Sequence, residues 1–141
     1  MSIPLWVLLG FAFWTLLVLF GTIGIYRWSR ILTGRAAISA FPPDHPHGSD
    51  WYRRAMRAHA NCIENLPVYG AIVLVLAVTG IEGQAFDVPA LVLMASRVCQ
   101  SVAHIAFEQT DRVAAFVFGF YFIQALCMFW MIGAVAVLSW Q

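Results

Sequence analysis

The sequence predicts an all-α integral membrane protein, a bundle of four transmembrane helices in a single domain over residues 1–141. Three observations predict it. Hydrophobic residues make up 62% of the chain and charged residues 11%, against about 45–50% and about 25% in ordinary globular domains. Four predominantly apolar runs alternate with more polar connections, and about 20 such residues carry a helix across a hydrocarbon core of about 30 Å. The polar groups that do enter these runs recur at helical spacing, as Arg53, Arg57, Asn61 and Glu64 do, so they gather on one face.

The first run, residues 4–26, holds no charge and would span about 35 Å as a helix. No basic residue precedes it and no small-residue cleavage site follows, so it is expected to be a retained span and not a secretory signal. Residues 27–52 read as a loop, with Arg27, Arg30 and Arg35 followed by FPPDHPHGSDW, whose prolines and glycine oppose a regular helix. Asp44, His45 and His47 match no established metal-site spacing, and a solvated loop is the expectation there.

The second span is expected over about 54–80, with polar residues in its first turns and Pro67 bending it. A short acidic turn, IEGQAFD, leads to a third span over about 88–107, with Pro89 at a tolerated first-turn position. Within it Arg97, Ser101, His104 and Glu108 share a face, with Gln100 at the edge, and Arg97 near mid-span calls for a carboxylate partner on a neighbouring helix. The turn EQTD precedes the fourth span, about 112–138, in which Gln124 is expected to bond between helices.

Orientation follows from arginine placement. The first connection with its flanks and the third carry seven of the eight arginines, and the second carries none. By the positive-inside tendency, connections one and three are cytoplasmic and both termini lie opposite. A formal charge of +1 excludes nucleic-acid binding by bulk electrostatics. All eight basic residues are arginine, a side chain suited to bidentate recognition of carboxylate or phosphate. Cys62, Cys99 and Cys127 lack paired spacing and are expected to be free, buried and inert.

The stretch Arg53–Pro67, RRAMRAHANCIENLP, is the costliest to place. A step of roughly 100° per residue puts Arg53, Arg57, Asn61 and Glu64 on one narrow face, with Arg54 and Asn65 at its edge. Ionisable groups at membrane depth mark a functional site by default and are expected to look inward, toward protein or trapped water.

Four spans, an arginine-rich first connection and the run RAHANCIENLP together resemble the MAPEG superfamily, membrane-associated proteins in eicosanoid and glutathione metabolism. The resemblance covers essentially the whole chain. Its most specific part is arginine, asparagine and glutamate at relative positions 0, 4 and 7, here Arg57, Asn61 and Glu64, with Pro67 three residues on. The family includes microsomal glutathione transferases, leukotriene synthases and microsomal prostaglandin E synthase. It implies a homotrimer that binds glutathione between subunits.

By that resemblance the glutathione-binding set is Arg57, Asn61 and Glu64, with Arg53 and His59 as further members. His59 projects about 160° from Asn61, so it would serve only through a bend or another subunit. The resemblance also gives Arg112 a catalytic place near the glutathione sulfur, and His104 stands where some members have a tyrosine that contacts glutathione. The expected function is glutathione transfer to a lipophilic electrophile taken from the bilayer, with hydroperoxide reduction as a second reaction. The alternative is a noncatalytic membrane protein whose polar faces mediate packing and oligomerisation. A transporter is disfavoured because Tyr69–Val78 offers no ionisable group besides the phenol.

Overall fold

The structure, a computed structural model, describes residues 1–42 and 47–140; Asp44 and His45 of the considered loop cluster lie outside the described residues. The described chain is helical, and four helical stretches are long and apolar enough to cross a membrane: Ile3–Leu32, Asp50–Thr79, Gln84–Ala106 and Asp111–Leu138. Helical bonding pairs most backbone donors and acceptors inside each stretch, as hydrocarbon requires of a spanning chain, with Pro67 and Pro89 as the interruptions.

The first stretch is α1 (Ile3–Val18), a π-helical turn (Leu19–Gly24) and α2 (Ile25–Leu32) in one continuous run. It corrects the expectation of a loop from residue 27. Arginine is a good helix former, and nothing breaks the backbone ladder until Thr33 and Gly34. Gly34 adopts φ 71°, and the Arg30 carbonyl accepts from the amides of Arg35 and Ala36 at 2.9 and 3.2 Å. Arg27 and Arg30 therefore project from a helix. The Tyr26 and Tyr52 rings stack at 4.2 Å, Arg30 lies over Tyr26, and Arg27 Nε donates to the Tyr52 hydroxyl at 2.6 Å.

Helix α3 (Asp50–Thr79) starts four residues earlier than expected because Ser49 caps it, accepting from the Tyr52 amide at 3.3 Å. Asp50 in the first turn complements the positive end of the helix dipole. The helix passes through Pro67 unbroken and ends at Gly80, φ 68°, the left-handed position that glycine fills without a Cβ penalty.

Helix α4 (Gln84–Ala106) also starts early, so Pro89 lies inside the helix and not in its first turn. Proline removes the donor that the Ala85 carbonyl would use, and the Trp130 indole of α5 replaces it, Nε1 donating at 3.0 Å. The helix ends at Phe107, whose φ −110° and ψ 144° are extended. Glu108 therefore leaves the expected Arg97 stripe. Thr110 caps α5 (Asp111–Leu138), accepting from the Val113 amide at 3.3 Å.

The first stretch packs on α3 and α4, and α5 lies chiefly along α4. The main core interleaves Phe11, Cys62, Tyr69, Val73, Phe86, Leu93 and Met131, and a smaller cluster of Ile23, Tyr52 and Ala55 lies at the arginine-rich end. All three cysteines are free, but Cys99 is exposed on the outer side of α4, which corrects the expectation that all are buried. Large apolar side chains such as Phe13, Leu74, Phe118 and Phe129 point outward, the arrangement a lipid solvent favours. The chain is a multi-pass integral membrane protein.

Candidate functional site

Helix α3 sorts its residues onto two sides. Tyr52, Ala55, Ala58, Cys62, Asn65 and Tyr69 are buried, and their spacing of three and four residues makes one stripe against the bundle. Arg53, Arg57 and Glu64 lie on the other side, exposed or partly so, with Asn61 half-buried beside them. The four grouped by helical projection thus share a face, but within one chain it looks out of the bundle. That corrects the expected inward orientation. A helix buries its most continuous apolar stripe, and the small residues Ala55, Ala58 and Cys62 let α3 approach its neighbours on that side.

Each candidate has a definite place. Arg53 pairs with Asp50 at 3.6 Å. Arg57 Nη1 donates to Gln109 Oε1 at 2.9 Å, across 52 residues of sequence. Arg54 bonds Asp50 and also donates from Nε to the Ile105 carbonyl at 3.4 Å. These last two arginines stitch α3 to the end of α4 and to the connection that follows. His59 is off the Arg57 face: its ring lies against the Thr15 backbone of α1, and its Nδ1 is buried with no hydrogen-bond partner. The structure thus keeps His59 apart from Arg57 and Glu64 within one chain, as its 160° projection requires.

His104 is buried at the end of α4, within electrostatic reach of the Arg57 guanidinium. Arg112 is exposed in the first turn of α5, three residues after Gln109. Arg57, His104 and Arg112 therefore gather at one end of the bundle, although no hydrogen bond or ion pair among the described residues joins Arg112 to the other two. Gln109 escaped the sequence reading. Its only signal was its place in the EQTD turn, because its partner is remote in the chain.

Deeper in the bundle, Arg97 is fully buried with Gln100, Ser101 and Gln124. No carboxylate pairs directly with it: among the described residues the ion pairs are those of Asp50 with Arg53 and Arg54. Arg97 Nη1 instead donates to Gln100 Oε1 at 2.9 Å, and its guanidinium lies 5.3 Å from the Phe11 ring centroid. Amide dipole and ring quadrupole thus face the cation, while Arg97 Nε and Nη2 have no hydrogen-bond partner. Cys62, Tyr121 and Glu64 lie within electrostatic range. Gln124 Nε2 donates to the same Gln100 oxygen at 3.1 Å, the interhelical bond expected of it. Ser101 Oγ accepts from Trp14 Nε1 at 3.2 Å and lies 3.7 Å from the Cys62 sulfur.

Chemically, the outer α3 face offers a cation, an amide and an anion within two turns. Arg57 uses one guanidinium N–H on a neutral acceptor, leaving four donors of its planar fork. Glu64 makes no ion pair among the described residues. Such a face fits a ligand that carries carboxylates, an amine and peptide groups. Apolar clefts among the described residues lie elsewhere; they include one of about 280 Å³ between Trp14, Gly21 and Ile105, and one of about 720 Å³ between Val88, Cys127 and Trp130. No cluster of metal-binding side chains occurs among the described residues.

Comparison with known proteins agrees with this architecture. A family model, MAPEG family, matches residues 4–137, nearly the whole chain. No curated protein matches significantly, and no solved structure does. The matched region takes in all four spans but for one residue at either end, and every candidate residue named above, and so this chain belongs to the MAPEG family, whose members include membrane-bound glutathione transferases and related enzymes as well as noncatalytic proteins.

Proposed function

We propose that the protein is a membrane-bound glutathione transferase, assembled as a homotrimer, that conjugates glutathione to lipophilic electrophiles and also reduces hydroperoxides. The observation that carries this reading is the outer face of α3, where Arg57 and Glu64 are exposed, with Asn61 half-buried between them, in a single chain of this family. Polar groups at membrane depth need cover, and a second copy of the chain would provide it. Glutathione fits the donor set: Arg57, with Arg53 at the rim, takes carboxylate, Glu64 takes the ammonium group, and Asn61 both donates and accepts. His59 would join this set only from a neighbouring subunit.

Bound there, glutathione supplies a thiolate nucleophile, whose sulfur forms a bond to the electrophilic carbon as the leaving group departs with its electron pair. Arg112 holds the negative charge on sulfur, and His104 donates a hydrogen bond or takes the thiol proton. The arginine-rich end faces the cytoplasm, where glutathione is drawn from solution, and the termini face the opposite side. The electrophile arrives sideways from the bilayer.

Equilibrium titration of purified protein with glutathione tests the reading. Arg57→Ala and Glu64→Ala each abolish binding, and full affinity in both variants overturns the site. If the two variants instead disperse the oligomer in detergent and the wild type binds no thiol, the polar face serves assembly alone.

A further inference from the structure

We propose that Gln109 is a positioning residue that sets the Arg57 guanidinium and, through the α4–α5 connection, the placement of Arg112; this rests on the glutathione reading above. The connection is the short segment between Ala106 and Asp111. It leaves helical geometry at Phe107, so no backbone ladder carries register from α4 into α5. Its course is fixed by backbone bonds, the Phe107 amide donating to the Ala103 carbonyl at 3.2 Å and the Thr110 amide to the Glu108 carbonyl at 3.0 Å, and by further contacts at its ends and middle. Arg54 Nε holds the Ile105 carbonyl at 3.4 Å. Thr110 closes α5, its carbonyl accepting from the Ala114 amide at 2.8 Å and its hydroxyl from the Val113 amide. Between them, Gln109 Oε1 accepts from Arg57 Nη1 at 2.9 Å.

Of these, the Gln109 bond alone joins the candidate anchor to the segment that leads into the candidate catalytic arginine. Arg112 follows Gln109 by three residues, in the first turn of α5. A freed connection would let that turn shift, and a misplacement of about 1 Å in a catalytic group is costly in rate.

The residue type also matters. Acidic side chains are close at hand in Glu108 and Asp111, yet neither pairs with Arg57 among the described residues. A neutral amide oxygen orients the guanidinium without neutralising its charge. A carboxylate at the same place would make the same bond and compete with the carboxylate of the ligand.

Glutathione affinity and the ultraviolet thiolate absorbance of the saturated complex test this on the purified full chain. Gln109 is exposed, so its variants are expected to fold, with thermal unfolding as the control. Gln109→Ala and the near-isosteric Gln109→Met each weaken affinity about 3- to 10-fold, the range for one lost hydrogen bond, and lower the thiolate signal. Gln109→Glu restores the thiolate signal but not the affinity. In an Arg112→Ala background, Gln109→Met still weakens binding and no longer changes the thiolate signal.

A Gln109→Met protein equal to wild type in both readings overturns the proposal. So does a thiolate effect that persists without Arg112, or a wild type that binds glutathione only as the thiol. A wild type that binds no glutathione overturns the function itself and this role with it.

Discussion

Trp130 on α5 donates its indole N–H to the carbonyl of Ala85 on α4 at 3.0 Å, the carbonyl that Pro89 deprives of its own helical donor. A proline in a spanning helix is tolerated where a neighbour re-satisfies the freed group, and here that neighbour also fastens two helices. Trp130→Phe keeps an aromatic ring and removes the donor, so it is expected to destabilise the folded protein by about 1–2 kcal/mol. Thermal unfolding in detergent measures this. The cost should shrink in a Pro89→Ala background, where the restored backbone amide at position 89 can itself bond the Ala85 carbonyl; an undiminished cost means the contact acts by packing.

Gly48 closes the first connection. At φ 81° it takes a backbone conformation that side chains strain, and an added Cβ would lie 2.7 Å from Tyr52 Cδ1 and 3.0 Å from the Tyr26 hydroxyl. That hydroxyl also accepts from the Ser49 amide at 3.2 Å. Gly48→Ala is therefore expected to cost about 1–3 kcal/mol and to loosen the connection from the Tyr26–Tyr52 stack. Limited proteolysis should then nick residues 33–49 faster than in wild type, and equal rates would refute the clash.

The four spans were legible because bilayer thickness fixes how long an apolar run must be. Their ends were less so. Arg27 and Arg30 suggested a loop by polarity, whereas the backbone stays helical until Gly34 permits a left-handed turn. Pro89 suggested a first turn, yet the Trp130 donor makes an interior place tolerable. Helical projection grouped Arg53, Arg57, Asn61 and Glu64 by azimuth, but azimuth does not tell inside from outside. That was decided by the competing stripe from Tyr52 to Tyr69. Gln109 was invisible for another reason: its partner Arg57 is 52 residues away, and no local pattern encodes such a pairing.

The buried amides should respond unequally to substitution. Gln124 donates to Gln100 Oε1 and to the Phe120 carbonyl at 3.1 and 3.0 Å, and its own Oε1 is unpartnered. Gln124→Leu removes an orphan acceptor along with the donors, so a loss of about 0.6 kcal/mol is expected, typical of a hydrogen bond within a membrane. Gln100→Leu takes away the side-chain amide oxygen bonded to Arg97. Its cost should approach the roughly 3–5 kcal/mol of an uncompensated buried charge. Unfolding in detergent ranks the two, and equal losses would show that Gln100 does not compensate the Arg97 charge.

Arg112 is the residue on which chemistry, as distinct from binding, should turn. It is exposed at the start of α5 and pairs with no carboxylate among the described residues, so its charge is free to act on a bound sulfur. A free thiol ionises near pH ~8.5, and an adjacent fixed cation lowers that midpoint by about 1–3 units. Removing the cation must raise it again. Arg112→Ala is therefore expected to keep glutathione affinity within about threefold, an effect under about 1 kcal/mol, while the thiolate absorbance of the complex shifts to higher pH by at least about one unit. Transfer to a lipophilic electrophile at neutral pH should fall at least about tenfold, in proportion to the lost thiolate. A titration midpoint that stays put would leave Arg112 as a membrane-edge anchor and place the thiol-activating charge on another residue.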